Sequence, residues 1–359
     1  MDILKELCSI PTAPFLEHRV VEYVERFVKA RRRLKLSRDA HGNLLIELAG
    51  RKKGQPRWVF GAHMDHPGFI TRGMVDRRTV ECDFRGFVVA ELMQGTKVRF
   101  FDGDEEIAGT VIEAIPEENG PRTRLARVRV PRPVASHIIG MFDQGEGRTK
   151  GKLFHSRVID DLGGAAAALA MLDELHRKPP AAPVAVLLTR AEEEGFIGAI
   201  AAVLKPKLLR KTDRIIAIEC SAMQPCAPQG AGPIIRVGDR TSVFNSSLTY
   251  FLTQQAEALA KADKGFKYQR ALMPGGTCEA TVYDAYGYHT ASICVALGNY
   301  HNMNREKMAI GPEYIDVNDW KQMVRLFVRI ARHGHEYEPG LKALRERIEK
   351  RFEGLKHLL

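Results

Sequence analysis

The pattern of the chain changes twice along its length, and this change constrains the fold more than any other feature. Before residue 70, an amphipathic helix pattern over 17–33 is followed by short apolar strand patterns at 44–48 and 58–62. From about residue 71 to 150, β-like runs are separated by turns rich in Gly, Pro and Asp, with no helical pattern among them. After residue 155 helix and strand patterns alternate again, and two amphipathic helix patterns come last.

Strands that alternate with helices predict a mainly parallel sheet with helices on both of its faces. We therefore predict an α/β fold with three αβα layers and a mixed, mainly parallel central sheet. The stretch without helices predicts a small β-barrel-like insertion in that fold. The same change of pattern predicts two domains: one α/β domain of residues 1–70 plus 151–359, and a β insertion domain of residues 71–150.

Composition excludes several classes of protein. With 45% apolar and 27% charged residues, the 359-residue chain is typical of a globular protein with a large core. No apolar run is long enough to cross a bilayer and the N-terminus lacks a signal pattern, so we expect a cytoplasmic protein with no membrane partner. The net charge of +10 is spread along the sequence, which favours a solvated surface over a nucleic-acid partner. Six scattered cysteines without a CxxC pair argue against a disulfide framework or a cysteine zinc site.

Acidic residues and histidines follow the predicted core strands, at the end of the sheet where ligands bind in open α/β folds. They are His63 and Asp65 after strand 58–62, Glu192 and Glu193 after strand 183–189, Glu219 after strand 214–218, and His301 after strand 290–297, with Asp160 and Asp161 just before the helix at 163–176. Imidazole and carboxylate groups are ligands of zinc, cobalt and manganese. Five such positions that converge suit a site for two metal ions.

Each of these motifs has a simpler interpretation when it stands alone. A His-x-Asp sequence arises by chance in a chain with 12 histidines. The triplet Glu192–Glu194 is typical of a solvated helix start, and Asp160-Asp161 is typical of a helix cap. The residue types, the strand ends and the order along the chain together favour a metal centre over these alternatives.

Three motifs resemble those of a known peptidase family. They read His63-Met64-Asp65-His66-Pro67-Gly68-Phe69, Asp160-Asp161-Leu162-Gly163-Gly164 and Glu192-Glu193-Glu194-Gly195-Phe196-Ile197-Gly198-Ala199. In these residues the chain is similar to the tetrahedral (TET), deblocking or glutamyl aminopeptidases, a family of di-zinc co-catalytic metallopeptidases. The family's order is also followed by Asp39-Ala40-His41-Gly42-Asn43, by Gly232-Pro233-Ile234-Ile235-Arg236 with Asp239, and by Gly275-Gly276-Thr277. With the β insertion, the resemblance extends over nearly the whole chain.

The resemblance implies a role for each candidate residue. One metal ion would be bound by His63, Asp160 and Glu219, and the other by Asp160, Glu193 and His301, with Asp160 as the bridge. Asp65 would support His63 through its other ring nitrogen, and Asp161 would hold the turn that aims Asp160. Glu192 would be the general base, which takes a proton from a metal-activated water and passes it to the leaving amine. There would be two divalent ions per chain, zinc first, with cobalt or manganese as alternatives.

The chain also departs from the family's usual pattern. It has His66 where the family has Glu, Leu162 where the family has Arg, and Glu219 where the family has Asp. Asn299-Tyr300 stands, shifted by one residue, where the family has Arg-Tyr before the last ligand. Gly275-Gly276-Thr277-Cys278 stands where the family has Gly-Gly-Thr-Asp. Glu219 still offers a carboxylate, so that change preserves the ligand chemistry. We expect the other departures to lie near the substrate pocket and to alter substrate preference while the metal ligands stay intact. These differences predict a divergent member of the family.

The leading hypothesis is therefore an exopeptidase, an aminopeptidase that hydrolyses N-terminal residues of short peptides. The alternative is a metal-dependent deacylase or amidohydrolase of the same clan acting on N-acyl substrates, since His66 replaces a carboxylate suited to a free amine. A glycosidase needs two carboxylates and no metal, which leaves the histidines unexplained, and a metal-free binding protein does not need the ligands and the base together. The resemblance further implies a homo-oligomer, from dimer to dodecamer, in which the insertion domain serves in dimerisation or as a lid.

Overall fold

The computed structural model describes residues 1–49 and 55–359, and these residues form helices and strands along most of their length. The helices are α1 (Asp2–Leu7), α2 (His18–Lys29), α3 (Leu162–Leu175), α4 (Ile197–Leu204), α5 (Ser246–Ala262), α6 (Glu279–Ala285), α7 (Val317–His333) and α8 (Lys342–Leu355). The strands are β1 (Leu34–Arg38), β2 (Leu44–Leu48), β3 (Trp58–His63), β4 (Gly68–Asp76), β5 (Thr79–Arg85), β6 (Lys97–Asp102), β7 (Glu105–Pro116), β8 (Thr123–Arg129), β9 (Ile139–Phe142), β10 (Arg148–Lys150), β11 (Leu153–Ser156), β12 (Val184–Thr189), β13 (Arg214–Ala222), β14 (Ile234–Gly238), β15 (Gln269–Leu272), β16 (His289–Gly298), β17 (Met303–Asn304), β18 (Ala309–Ile310) and β19 (Glu313–Asp316). Short 3₁₀ turns lie at Ala90–Leu92, Glu192–Glu194, Tyr300–Asn302, Gly334–Glu336 and Lys356–Leu358.

Eleven strands form one mixed central sheet. Its main path runs β1-β2-β12-β3-β13-β16-β19-β11-β10, and β14 and β15 extend from β16. The four central strands, β12, β3, β13 and β16, are parallel to one another, and the strands that flank them pair with them antiparallel. The parallel strands therefore end at the same edge of the sheet, where His63 closes β3.

Helices cover both faces of this sheet. Alternate residues of a strand point to opposite faces. In β12, Val184, Val186 and Leu188 belong to the hydrophobic cluster that includes α1, α2, α3, α5 and α7. Ala185 and Leu187 belong instead to the cluster that includes α4 and α6. The predicted three-layer α/β fold is confirmed, and we call the sheet and its helices the α/β body.

Small residues let helix α3 lie directly on the sheet. Gly163 and Gly164 are buried in its first turn. A Cβ atom added to Gly163 would lie 2.9 Å from Ile159 Cγ2, and one added to Gly164 would lie 2.3 Å from Asp161 Oδ1. Both distances are far below ordinary contact, so only glycine lets the helix begin this close to the segment that carries Asp160.

The predicted β-barrel-like insertion is a closed barrel of antiparallel strands in the order β4-β5-β8-β7-β6-β9. Alternate residues fill its interior, for example Val80, Cys82 and Phe84 in β5. Phe69, Phe84 and Phe142 form an aromatic cluster with ring centroids 4.9 to 5.9 Å apart. The barrel thus has a hydrophobic core of its own, and after β9 the chain returns to the central sheet with β10 and β11.

Two elements differ from their predictions. Strand β13 continues to Ala222, beyond the predicted end at residue 218, because it stays paired with the long strand β16. Glu219 consequently lies within the strand. Helix α8 forms as its pattern predicts, but its apolar face is not packed on the body, since Ile348 is 59% and Phe352 54% exposed.

All six cysteines are free thiols, and five of them are buried while Cys226 is exposed. Within residues 1–49 and 55–359, no helix is both long and apolar enough to cross a membrane.

Candidate metal centre

The ends of the four parallel strands bring the candidate ligands together. His63 is the last residue of β3 and pairs with the last residue of β12, shortly before the turn that carries Glu192 and Glu193. Glu219 lies in β13 at the level of His63, and His301 follows the end of β16. The edge of the sheet predicted from the strand pattern is therefore the edge at which these side chains meet.

The predicted ligands form two triplets that share one carboxylate. Ligand atoms of His63, Asp160 and Glu219 lie within 4.8 Å of one another, and so do those of Asp160, Glu193 and His301. The Nε2 atom of His63 is 3.6 Å from Asp160 Oδ1, and that of His301 is 3.7 Å from Asp160 Oδ2. Each oxygen of Asp160 faces a different histidine, which is the placement expected of a residue between two metal ions.

Buried polar atoms without hydrogen-bond partners indicate what this cluster can bind. In the described part of the chain, such atoms include Asp160 Oδ1, Glu193 Oε1, Glu219 Oε1 and His301 Nε2. Glu193 Oε1 and His301 Nε2 lie 3.0 Å apart but are not aligned for a hydrogen bond. A buried polar atom left unpaired costs roughly 1–3 kcal/mol of stability, and imidazole and carboxylate atoms are ligands of divalent cations. These residues therefore fit metal ions.

Crowding among buried carboxylates shifts the pKa values in the cluster. Burial, and then the Asp160 carboxylate, raise the pKa of Glu219 to about 8. Burial alone would lower the pKa of His301, but the carboxylates of Glu193 and Asp160 outweigh it and raise that pKa to about 9. Burial also raises the pKa of Glu192 well above its usual range. The cluster thus favours positive charge among its carboxylates, whether from protons or from metal ions.

Asp65 contacts two parts of the centre. Its carbonyl oxygen is 3.1 Å and its carboxylate 3.5 Å from His63 Nδ1, so the His63 ring is held with Nε2 turned towards Asp160. The same carboxylate accepts hydrogen bonds from the backbone N–H groups of Glu192 at 2.9 Å and Glu193 at 3.1 Å. Asp65 therefore connects the end of β3 to the acidic turn, a contact that the sequence did not indicate.

The turn at 39–43 braces the same acidic turn from outside. Asn43 Nδ2 donates to Asp39 Oδ2 at 2.8 Å and to the carbonyl of Gly198 at 3.0 Å, while Asn43 Oδ1 accepts from the N–H of Arg190 at 3.2 Å. Arg190 and Gly198 lie before and after the acidic turn. The Asp-x-x-Gly-Asn motif thus fixes both ends of the segment that carries Glu192.

Glu313 was not indicated by the sequence patterns, yet it holds both ligand-bearing segments. One oxygen of its buried carboxylate accepts hydrogen bonds from the N–H groups of Ile159 at 2.6 Å and Asp160 at 3.1 Å. The other oxygen accepts from the N–H of His301 at 2.9 Å. Backbone donors leave no residue pattern, so a lone acidic residue at a strand start was the sole signal for this contact.

A cavity of 710 Å³ opens beside the centre. Its wall includes Glu219, Asn299, Tyr300 and the loop at 275–278. Arg236 also lines it, is only 3% exposed, and has no hydrogen-bond partner for Nε or Nη1 among the described residues. A buried guanidinium with unpaired N–H groups beside a cavity is suited to bind an anion. Its motif was noted in the sequence, but nothing there distinguished the arginine as a site residue.

The sequence also matches a known family directly. The M42 glutamyl aminopeptidase family matches residues 134–325, more than half of the chain. The chain belongs to this family. The resemblance that the motifs carry is therefore confirmed, and the protein is a member of a family of peptidases. A comparison of this M42 chain with curated proteins found no match.

Several solved structures have a similar fold. This M42 chain is similar to the TET1 peptidase of Pyrococcus horikoshii, at 21% identity and a TM-score of 0.76, with 92% of this chain and 98% of that chain covered. It is similar to an aminopeptidase of the archaeon Desulfurococcus kamchatkensis, at 20% identity, a TM-score of 0.78 and coverage of 95% and 98%. It is also similar to a TET aminopeptidase of a marine sediment Thaumarchaeota archaeon, at 15% identity, a TM-score of 0.78 and coverage of 96% and 99%. These likenesses show a shared fold.

Two of this M42 chain's departures from the family pattern, His66 and Leu162, do not line this cavity. That the departures alter substrate preference stays a prediction. His66 is buried behind the centre, where Nδ1 donates to the carbonyl of Asp160 at 2.7 Å and Nε2 lies 3.1 Å from Asn302 Oδ1. Leu162 is part of the hydrophobic core of the body. Closeness in sequence to a ligand does not determine on which side of the strand end a side chain lies.

Asp161 is buried next to Asp160, the carboxylate that the two triplets share. It stands at the start of α3, but its side chain makes no capping hydrogen bond to that helix. Asp161 therefore occupies the N-cap position of α3, and its backbone carbonyl accepts from the N–H of Ala165 at 2.9 Å, but its carboxylate does not cap the helix. That Asp161 holds the turn that aims Asp160 stays a prediction.

Proposed function

We propose that this M42 protein is a metal-dependent aminopeptidase that removes N-terminal residues from short peptides. The observation that carries the proposal is the pair of triplets that share Asp160 and include four buried ligand atoms without a partner. Membership of the M42 family supports peptidase activity. Two of the similar structures are of proteins described as aminopeptidases.

In this proposal each chain holds two divalent metal ions. One ion would be held by His63, Asp160 and Glu219, and the other by Asp160, Glu193 and His301. Zinc suits a mixed imidazole and carboxylate set, and cobalt and manganese accept the same groups. When bound, the ions would polarise the scissile carbonyl and lower the pKa of the attacking water.

Glu192 is our candidate for the general base. Its Oε2 atom lies 3.9 Å from His63 Nε2, and its backbone N–H is held by the Asp65 carboxylate. Because burial raises its pKa, the Glu192 carboxyl can hold a proton closer to neutral pH than an exposed one can. It would take a proton from the attacking water and deliver it to the leaving amine.

The cavity supports a preference for acidic N-terminal residues. The Arg236 guanidinium lies in the cavity wall together with Glu219 and has unpaired N–H groups. A substrate side chain that ends in a carboxylate could accept charge-assisted hydrogen bonds from it. This preference agrees with the description of the family as glutamyl aminopeptidases.

Assembly is a further part of the proposal. The TET1 peptidase of Pyrococcus horikoshii is described as a dodecamer, and as a protein that can assemble into a tetrahedron or a large octahedral shell. We infer that this chain also forms a homo-oligomer, between a dimer and a dodecamer, and that the barrel makes the dimer contact. Sedimentation at several protein concentrations tests this, and a monomer throughout would contradict it.

Mass spectrometry of a peptide panel tests the activity. Short peptides with free and with acetylated N-termini, beginning with Glu or with Ala, are incubated with zinc- or cobalt-loaded protein. Chelator-treated protein is the control. We expect stepwise loss of N-terminal residues from the free peptides alone, faster for Glu than for Ala, and abolished by the chelator.

Other outcomes of this experiment would point elsewhere. Release of the acetyl groups would support a deacylase or amidohydrolase in place of an aminopeptidase. Activity that survives the chelator would contradict metal dependence. It would instead favour a hydrolase that uses two carboxylates and no metal, such as a glycosidase. No cleavage by protein confirmed to hold metal would contradict the proposed activity altogether.

A further inference from the structure

A loop of the barrel reaches one histidine of the metal centre. We call residues 86–88, between β5 and the 3₁₀ turn at Ala90–Leu92, the barrel loop. Its Phe87 carbonyl lies 2.7 Å from His301 Nδ1, so Nδ1 carries the proton and donates to it. The other ring nitrogen, Nε2, is thereby left as the atom that faces Glu193 and Asp160.

The same loop contacts the acidic turn on the other side of that triplet. The N–H of Gly86 donates to Glu194 Oε1 at 2.8 Å, and Glu194 directly follows the candidate ligand Glu193. Arg122, just before β8, donates to the same Glu194 oxygen and, through Nε, to the carbonyl of Gly86 at 3.1 Å. Two consecutive loop residues therefore contact the two segments that carry Glu193 and His301.

The barrel loop is itself held firmly in place. Thr123 donates two hydrogen bonds of 2.9 Å to the carbonyl of Val88, one from its N–H and one from its hydroxyl. Gly86 has a φ of +85°, and a Cβ atom there would lie 2.7 Å from Pro67. Met303, two residues after His301, is buried in the hydrophobic cluster of the barrel. The loop cannot shift without disturbing these contacts.

The other triplet is held differently. His63 and Glu219 lie in the central strands β3 and β13, and His63 Nδ1 is held by Asp65. Across residues 1–49 and 55–359, no hydrogen bond or ion pair joins either of these two side chains to the barrel strands or the barrel loop. Among the described residues, the polar contacts of the barrel with these ligand side chains are therefore made at His301, in the triplet of Asp160, Glu193 and His301.

From this asymmetry we propose that the barrel loop orients the ligands of one metal position, the one formed by Asp160, Glu193 and His301. The loop thereby sets the affinity of that position for its metal ion and not the affinity of the other position. The proposal rests on the proposed function in so far as the centre must bind two ions. Hydrogen bonds to the outer atoms of metal ligands fix the ligands in their binding orientation, and their loss typically weakens metal binding by about 10- to 100-fold. Removing the contacts of Arg122 and Glu194 should accordingly weaken one position and spare the other.

Titration of the metal-free full-length protein with cobalt tests this proposal. Binding is monitored by calorimetry and by the absorption bands of bound cobalt. Wild type should show two binding steps. Glu193→Gln and Glu219→Gln, which each alter a ligand of one triplet, assign the steps. Arg122→Ala should weaken the step that Glu193→Gln affects by about 10- to 100-fold and leave the other step unchanged. Excess cobalt should restore the activity of Arg122→Ala, which a misfolded variant would not allow.

A matched control is Arg127→Ala, also in the barrel, where an exposed arginine pairs with Glu113 at 2.8 Å. It should leave both steps unchanged. If Arg122→Ala does not fold, as judged by circular dichroism, Glu194→Gln removes the charge partner with less change in volume and should weaken the same step.

Equal weakening of both steps, weakening of the step assigned to Glu219, or no change would each overturn the proposal. A wild type that binds no cobalt would overturn it together with the metal dependence of the proposed function. A wild type that binds two ions but cleaves no peptide would contradict the proposed activity alone, and the difference between the two binding steps would still support or overturn the positioning role.

Discussion

The α/β body and the barrel are built on different rules, and the difference explains where the candidate chemistry lies. In the body the central strands are parallel, and their carboxyl ends meet at one edge, where all the predicted ligands gather. In the barrel the antiparallel strands close on themselves, and their side chains alternate between interior and surface. Among the described residues, no group of side chains able to hold a metal includes a barrel residue. The body thus carries the candidate ligands, and the barrel contacts the segments that hold some of them.

The largest effect that tests this comparison is expected from Glu192→Gln in the body. An amide cannot accept the proton, so we expect kcat to fall by about 10²- to 10⁴-fold while the fold and metal binding persist. Steady-state kinetics and calorimetric metal titration measure the two quantities. Glu257→Gln, at an exposed position of α5, is the matched control and should leave kcat unchanged. Full activity in Glu192→Gln would rule out its role as the base.

The next largest effect is expected on the free energy of unfolding, when the hydrophobic core of the barrel and that of the body are each disrupted. Phe84→Ala opens the aromatic cluster of the barrel, and Phe60→Ala removes a ring packed on Phe327 in the body. Both rings are fully buried, so each change should lower the free energy of unfolding by about 3–5 kcal/mol. If the predicted domains fold separately, urea unfolding should show two transitions, and each variant should shift one of them. A single transition shifted by both variants would mean that the two regions fold as one unit.

A smaller effect concerns the cavity, to which the body contributes Arg236 and the barrel contributes Phe87. Arg236→Met removes the guanidinium and should lower kcat/KM for peptides with N-terminal Glu by roughly 10- to 100-fold, with little change for N-terminal Ala. Phe87→Leu alters the size of the barrel side chain without altering charge, so the ratio between Glu and Ala peptides should persist. If Arg236→Met leaves this ratio unchanged, the guanidinium does not select the substrate.

The smallest effect is expected on stability in acid, where Asp239 of the body is compared with Asp76 of the barrel. Burial alone would raise the pKa of Asp239, but hydrogen bonds from the Thr281 hydroxyl and from backbone N–H groups, among them that of Ser242, lower it. Since the pKa is lower in the folded state, Asp239 stabilises the fold above about pH 4 and loses this effect as the pH falls through the folded-state pKa. Asp239→Asn should therefore cost stability at pH 7, and the difference from wild type should shrink below pH 4.

Urea unfolding at pH 7 and at pH 3 measures this change. Asp76→Asn in an exposed barrel turn is the comparison, because the N–H of Arg78 lowers the pKa of Asp76 at a position open to solvent. We expect its effect to be smaller than that of Asp239→Asn, since solvent can replace the lost contact. The same loss for Asp239→Asn at both pH values would show that the ionised carboxylate is not what stabilises this region.

That the candidate ligands meet at one edge of the sheet could be predicted from sequence, because the signals are local. Carboxylates and histidines directly after apolar strands identify an edge of the sheet, and parallel strands must end at a common edge. His63 and His301 met there although the chain between them contains the whole barrel. The fold class and the family followed from the same pattern and motifs, and both are confirmed.

The contacts around the ligands could not be predicted in the same way. Glu313 acts through backbone N–H groups, and the barrel loop acts through the carbonyl of Phe87, so neither contact has a residue pattern of its own. Arg236 could be recognised as a candidate anion-binding residue only from the structure, which shows that it lines a cavity. The orientation of His66 also could not be predicted, because its position next to Asp65 in sequence does not show that its side chain turns towards Asp160.

The position of Glu313 late in the chain has a consequence for synthesis on the ribosome. Its carboxylate connects the backbone at Ile159 and Asp160 to that at His301, so the second triplet lacks its anchor until the chain has been made beyond residue 313. The barrel and the first strands of the sheet emerge much earlier and can begin to fold by then. A nascent or prematurely terminated chain would therefore present a folded barrel while the triplet of Asp160, Glu193 and His301 still lacks the carboxylate that joins its backbone segments.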